Sequence, residues 1–318
     1  MSENRKARRE AAAPAAPQRT PGGGRPGAGA GSASRLAVRK TYKLYVGGKF
    51  PRSESGRVYE VTDAEGHWLA NPPRASRKDA RDAVVAARKA FAGWSGATAY
   101  NRGQVLYRLA EMLEGRREQF TTEVAEAEGL TQGAAAAQVD AAVDRLVWYA
   151  GWSDKIAQVA GATNPVAGPY LNLSTPEPTG VVAVAAPAEP SLLGLVSVLA
   201  PVVVTGNTAV VVLSEPAPLP GLSFGEVLAT SDVPGGVVNL LSGSPAELLA
   251  PLASHRDVNA LDLTGVADPA AATSLEEAAA DNLKRVRRPE DVDWAADQGT
   301  GRMLAFLETK TVWHPMGV

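Results

Sequence analysis

Past Pro178 the chain carries four short, uninterrupted apolar runs: Gly180 to Ala186, Thr208 to Leu213, Val237 to Leu241 and Val258 to Leu263. Runs of this length with no polar alternation read as strands buried on both faces. Between them lie Ser191 to Leu199, Leu222 to Leu228 and Ala246 to Ala253, which suit helices. Strands alternating with helices build a parallel sheet, because each crossover must carry the chain back to the same sheet edge, and the helices then cover both faces. The expected fold class is α/β, a doubly wound, Rossmann-like parallel sheet. With 318 residues and 45% hydrophobic content the chain can bury such a core, which excludes disorder along its whole length.

Upstream the periodicity is helical. Ser76 and Asp79 form a capping-box signature, and Ala80, Ala83, Val84, Ala87 and Phe91 recur at helical spacing behind it. A second helix carries Leu106, Leu109, Ala110 and Leu113, and a third carries Val139, Ala142, Val143 and Leu146, so an N-terminal helical layer is expected. Before it, Tyr42, Leu44 and Val46 alternate, Gly47 and Gly48 supply a turn, and Arg57 to Val61 are expected to return as the second strand of a hairpin. Over 158–175, Pro165, Gly168 and Pro169 surround Tyr170, Leu171 and Leu173, a pattern too interrupted for a core strand and suited to a protruding β-ribbon. Residues 267–302 are rich in Ala and charge, with Trp294 as their one large anchor, and read as a weakly patterned linker; within them Lys284 to Arg288, KRVRR, reads as a solvated charge run. Order resumes over 303–318, where Phe306 and Lys310 to Trp313 read as a final strand before Pro315.

Charge and composition limit the partners. Residues 1–40 hold nine Lys or Arg and two Glu, a net of +7, while the whole chain is −2, so the rest carries −9. This Ala-, Gly- and Pro-rich stretch buries too little to repay ordering and is expected to be a disordered basic tail; lacking an aromatic residue for base stacking, it gives no reason to expect a nucleic-acid partner. The chain has no cysteine, which removes disulfides, zinc–thiolate sites and thiolate nucleophiles together. His67, His255 and His314 have no second ligand at metal spacing, so no metal site is expected. No apolar run approaches the roughly eighteen residues that span a bilayer, and the opening residues lack a secretory core, so a cytoplasmic protein is expected.

Several ordered pieces then carry a family resemblance. LYVGGKF at 44–50 with Gly56 beyond it, DARDAVVAARKAFAGW at 79–94, Arg102 with Leu106 to Glu111, EPTGVV at 177–182, GNTAVVVLSE at 206–215, PGGVVNLLSG at 234–243, LTG at 263–265 and KTVW at 310–313 succeed one another. In that order they resemble the aldehyde dehydrogenase superfamily, over about residues 42–266 and 303–314. The resemblance implies that 41–266 is the family's cofactor-type domain, that 158–175 and 303–318 are the two parts of its oligomerisation element, and that the family's catalytic domain is missing between them.

What the resemblance implies for chemistry is mostly loss. The family attacks its aldehyde with a cysteine thiolate, and no cysteine exists here. Where the family has Pro-Trp-Asn-Phe-Pro, this chain has Pro187, Ala188, Glu189, Pro190 and Ser191; the family's asparagine amide donates to an oxyanion, whereas the Glu189 carboxylate can only accept. The lysine and glutamate that the family places on the NAD ribose correspond to Val212 and Glu215. The serine after the Thr-Gly pair corresponds to Val266, with Gly265 kept. Pro234, Gly235 and Gly236 resemble the adenine-side loop and equally suit an ordinary turn. Glu215, Gly235, Gly236 and Gly265 are the implied vestiges of an NAD site whose binding is weak or lost. The family's Glu-Leu-Gly-Gly stretch has its nearest text in Leu275, Glu276, Glu277 and Ala278, without the glycines, so a surface helix is expected there.

The function implied is that of a catalytically inactive family member acting as partner or structural subunit, forming a homo- or hetero-oligomer with a complete aldehyde dehydrogenase. Its contact residues would be Val166, Tyr170, Leu171, Leu173, Lys310, Val312 and Trp313 on the ribbon. Two alternatives stay open: an NAD-binding oxidoreductase component that acts on aldehydes only within a complex, and a stand-alone nucleotide-binding regulatory module.

Overall fold

The structure is a computed structural model and describes residues 38–297 and 299–317. The tail expected over 1–40 lies outside the described residues except for its last three. Lys40 belongs to the folded body, since its Nζ donates to Ser223 Oγ at 2.6 Å and pairs with Glu226 at 3.2 Å.

Two short strands, β1 (Val61–Thr62) and β2 (Trp68–Ala70), pair antiparallel ahead of the helices. Helix α1 (Arg77–Ser95) starts where its capping box dictates: Asp79 N donates to Ser76 Oγ, and Ser76 N donates back to Asp79 Oδ2 at 2.8 Å. It is followed by α2 (Ala99–Glu114), α3 (Arg117–Glu128), α4 (Gln132–Trp152) and the short α5 (Ile156–Ala160). Strands β3 (Ala162–Asn164) and β4 (Tyr170–Pro178) then form a ribbon that leads into the main sheet.

That sheet contains β5 (Val181–Ala185), β6 (Thr208–Val212), β7 (Val238–Leu241), β8 (Ala260–Asp262) and β9 (Arg285–Arg287), all parallel, in the order β7-β6-β5-β8-β9. Its crossovers are α6 (Ser191–Val204), α7 (Leu219–Ala229), α8 (Pro245–Ser254) and α9 (Pro269–Ala280). Side chains divide the faces with period two. Val182, Val184, Ala209 and Val211 face α6, α7 and the helical layer α2–α4, whereas Val181, Ala183, Val210 and Val212 face α1, α8 and α9. Buried on both faces, these strands need no polar side, which is why their sequences read as continuous apolar runs. All of α6 is buried as well, because it lies between the sheet and the helical layer. After β9 the chain reaches α10 (Gly301–Ala305) and β10 (Leu307–Pro315), which pairs along β4 and completes a three-stranded ribbon in the order β10-β4-β3.

Three local expectations change. Arg57 to Val61 does not return on 42–46: Val58 bridges Pro73 and Val61 pairs with Ala70. Gly47 and Gly48, at φ 62° and 76°, instead fold 44–46 tightly back on 49–51, and Tyr45 bridges Leu240 on the outer edge of β7. Helix α3 adds an element to the expected helical layer; only a narrow stripe including Phe120 and Val124 is buried, and its N-terminus has no side-chain cap to announce it. Residues 267–302 contain α9, capped by Asp268, and β9. The KRVRR run is that edge strand rather than a solvated segment, with Lys284 buried and Val286 packed on the α1–α8–α9 side. A three-residue edge strand needs only one inward apolar residue, so its flanking arginines hid it.

Candidate functional site

In an open parallel sheet the loops at the carboxyl ends of the strands carry the site, above all where the strand order reverses. Here β6 and β7 lie to one side of β5, and β8 and β9 to the other, so the reversal falls between β5 and β8. The loops leaving β5 and β6 bring Glu189 and Glu215 into one cleft of about 580 Å³, which Tyr59 to Ala64 also line. Both carboxylates are exposed. Glu60, Asp63 and Glu128 line the same cleft, and among the described lining residues there is no Lys or Arg. Tyr59 Oη donates to the backbone oxygen of Glu215 at 3.3 Å; burial pushes its phenol above the ordinary range, and the Glu215 charge pushes it the same way. Glu128 accepts from the Ser191 amide at 2.7 Å and from Ser191 Oγ at 2.5 Å, so the first turn of α6 is already served by an internal carboxylate.

The other residues tied to NAD by resemblance have structural surroundings. Val212 is buried in the core, and Val266 packs there with Ala272 and Leu275. A Cβ on Gly265 would lie 2.0 Å from the Ala186 oxygen, so the glycine is demanded by the contact between the β5 and β8 exits. Gly235 and Gly236 precede β7 and sit at the opposite end of the sheet from Glu189 and Glu215. A Cβ on Gly236, at φ 94°, would strike the Ala86 oxygen at 2.6 Å, and one on Gly235 the Gly47 oxygen at 2.8 Å. At the carboxyl end of β7 stand Ser242 to Pro245 instead, of which Ser242 and Gly243 end the PGGVVNLLSG motif.

Glu276 and Glu277 lie on α9, where Glu276 accepts a two-pronged contact from Arg288 at 2.6 and 2.7 Å. The carboxylate just past β9 is Glu290, held by Arg302 at 3.2 Å and by Arg287. His67 is less isolated than its sequence context suggested, because the turn brings Asp63 and Glu65 to it. Asp63, however, spends Oδ1 on the amides of Glu65 and His67 and Oδ2 on His67 Nδ1 at 3.0 Å, so the trio is a turn closed on itself. His255 Nδ1 accepts from the Asp257 amide, and His314 lies on β10.

The expected contact residues lie together on the ribbon. Leu173 stands opposite Val312, and Leu171 opposite His314, so Leu171, Leu173 and Val312 share one face. Tyr170 and Trp313 occupy the other, edge to face with ring centroids 5.8 Å apart. All five are at least two-fifths exposed. Lys310 is tied to Glu177 at 2.9 Å, and Val166 is half-buried in the turn between β3 and β4.

The fold and its strand-end loops define a doubly wound, Rossmann-like domain carrying a ribbon built from segments far apart in the chain. The family model described as "Aldehyde dehydrogenase family" matches residues 50–288, and the chain belongs to that family. The match runs through α9 and β9, beyond the boundary at 266 expected from the motifs. The chain is 34% identical over 261 residues to retinal dehydrogenase 2 of Gallus gallus, covering 79% of this chain and 48% of that protein. It is 32% identical over 260 residues to cytosolic 10-formyltetrahydrofolate dehydrogenase of Mus musculus, covering 79% of this chain and 28% of that one. Among solved structures it is similar to an aldehyde dehydrogenase from Bacillus cereus determined as an NAD+ complex, with a TM-score of 0.73 and 29% identity over 78% of this chain and 50% of that one. The chain thus spans half or less of the length of these relatives. No helix among the described residues is long and apolar enough to cross a membrane.

Proposed function

We propose that this chain is an aldehyde dehydrogenase family member without hydride-transfer chemistry of its own, acting as a partner or structural subunit of a complete aldehyde dehydrogenase. The observation that carries this reading is the exposed apolar face of Leu171, Leu173 and Val312 on a ribbon whose outer strand, β10, is an edge. An open edge with apolar side chains invites another chain to cover it. The chemistry argues in the same direction. There is no cysteine to form the covalent intermediate, and a carboxylate occupies the oxyanion asparagine's position. Residues 288–300 alone join β9 to α10, where the family resemblance leads one to expect a catalytic domain.

The donors in the cleft do not fit NAD. An anionic dinucleotide in this cleft would be surrounded by the carboxylates of Glu60, Asp63, Glu189 and Glu215, with no Lys or Arg among the described lining residues. Each like-charge contact at 4 Å costs about 1 kcal/mol even in bulk water, and more as water is excluded. Val212 offers no ammonium group to offset that repulsion. NAD binding by the isolated chain is weak or lost on this reading, and a cytoplasmic setting accords with a chain free of cysteine.

Co-expression with a full-length aldehyde dehydrogenase from the same cell tests the partner role. A hetero-oligomer should co-purify, and Leu171→Lys with Val312→Lys should abolish it. A monodisperse monomer that ignores the full-length enzyme would remove the proposal. The exposed Glu215 at the β6 exit favours a second reading, an NAD-binding component competent only in a complex. Calorimetric titration with NAD, with and without the full-length enzyme, separates the two.

A further inference from the structure

Helices α1 and α8 cover the same face of the main sheet, with Ala80 and Leu252 buried in one core cluster. A groove of about 480 Å³ lies between them, lined from α1 by Arg77, Lys78 and Arg81 and from the end of α8 by His255. Its apolar lining is Ala80, Pro251 and Leu252, and among the described lining residues there is no Asp or Glu. The groove shares no residue with the acidic cleft at the β5 and β6 exits. Arg77 and Arg81 stand one turn apart on one helix face, and Arg77, exposed, has no ion-pair partner among the described residues. Lys78 touches Glu54 at 3.4 Å and Arg81 touches Asp82 at 3.3 Å, but all four side chains are at least two-fifths exposed, so water screens both pairs and neither cation is tied up. His255 stands on the opposite wall. Its Nδ1 accepts from the Asp257 amide at 3.1 Å, which leaves Nε2 as the nitrogen that carries the proton and donates.

We propose that this groove binds a small organic phosphate, its phosphoryl group held by Arg77, Arg81 and His255 and its apolar body laid on Pro251 and Leu252. Residues 41–318 are net negative, so a lining of cations without one acid is not a by-product of composition. The C-terminus of α8 attracts positive charge, but it amounts to roughly half an elementary charge against three full positive charges on α1. The amides at the start of α1 do not supply the site, since the capping box already engages those of Ser76 and Asp79. Guanidinium forks match phosphoryl oxygens in pairs, and an imidazole N–H from the other wall adds a donor from a second direction. The apolar lining rewards a ligand that carries hydrocarbon or a ring beside its charge, which inorganic phosphate lacks. Nothing in this site depends on the partner role or on the loss of NAD, so either can fail without the other.

The test is calorimetric titration of the full chain with phenyl phosphate, inorganic phosphate and phenol. Phenyl phosphate should bind saturably and at least about threefold tighter than inorganic phosphate, phenol should not bind, and the affinity should fall as salt is raised past about 0.15 M. Arg77→Ala with Arg81→Ala should weaken phenyl phosphate by at least about tenfold. Both arginines are exposed, so this variant keeps its fold, and His255→Gln, on the other wall, should weaken binding as an independent check. Glu189→Gln with Glu215→Gln, in the separate acidic cleft, should change the affinity by less than about twofold. Absence of saturable binding in the parent, an affinity for phenyl phosphate no better than for inorganic phosphate, or full binding by the double arginine variant would overturn the proposal and leave these cations a solvated surface.

Discussion

Asn207 Nδ2 donates to the backbone oxygen of Phe306 at 2.9 Å, although the two residues lie 99 positions apart. The same fully buried side chain donates to Thr205 Oγ1 at 3.0 Å and accepts from the Gly180 amide at 2.8 Å. One amide thus ties the entrance of β6 to the start of β5 and to the turn that launches β10.

Replacing Asn207 by Ala leaves the Gly180 amide and the Phe306 carbonyl without this partner inside the protein. A buried group left unsatisfied costs about 1–3 kcal/mol, so Asn207→Ala should lower the urea midpoint by the equivalent of at least about 2 kcal/mol. Unchanged denaturation would show that water reaches the site.

Arg302 Nη1 donates to Asp262 Oδ2 at 3.3 Å with both residues buried, and this pair predicts a non-additive cycle. Arg302→Met should cost about 3–5 kcal/mol by leaving a buried carboxylate unpaired, while Asp262→Ala with Arg302→Met should cost clearly less. Additive losses in chemical denaturation would mean that the two groups do not act as a pair.

Arg285 donates to Glu308 at 2.6 and 2.7 Å, linking β9 to β10, and this contact holds the Glu308 carboxyl below its ordinary range. A depressed folded-state value means that the contribution is fully present above the unfolded pKa, about 4.3, and is lost as pH falls through the folded value. Glu308→Gln should therefore be slightly less stable than the parent at pH 7, and the gap should close in acid; the exposure of the pair keeps it small. A gap that widens on acidification contradicts the assignment.

Glu189→Asn restores the donor that the family resemblance expects at the oxyanion position. Without a thiol to attack the aldehyde, it should still give no aldehyde-dependent NADH formation in a spectrophotometric assay. Turnover in this variant would show that another nucleophile operates.

Much of the fold was legible in the sequence. Strands covered on both faces must be apolar at every position, so β5 to β8 announced themselves, and Ser76 with Asp79 fixed the start of α1. Less of the site could be read. Glu189 and Glu215 carried family signals, and the fold brings them to one cleft; Gly235 and Gly236 looked alike in sequence whether they served a ligand or the packing against Ala86 and Gly47. The edge strand β9 was hidden because an edge tolerates charge on either side of its one core residue.

The sequence by itself determined the layered α/β architecture, the loss of the thiol and the apolar character of the ribbon, because burial periodicity and residue chemistry are local properties. Only the tertiary structure decided that Arg302 meets Asp262, that Leu173 stands opposite Val312, and that five carboxylates share a cleft. Those pairings join segments distant in the chain, and nothing in the spacing of an arginine or a leucine names its partner until the sheet order and the strand register place them side by side.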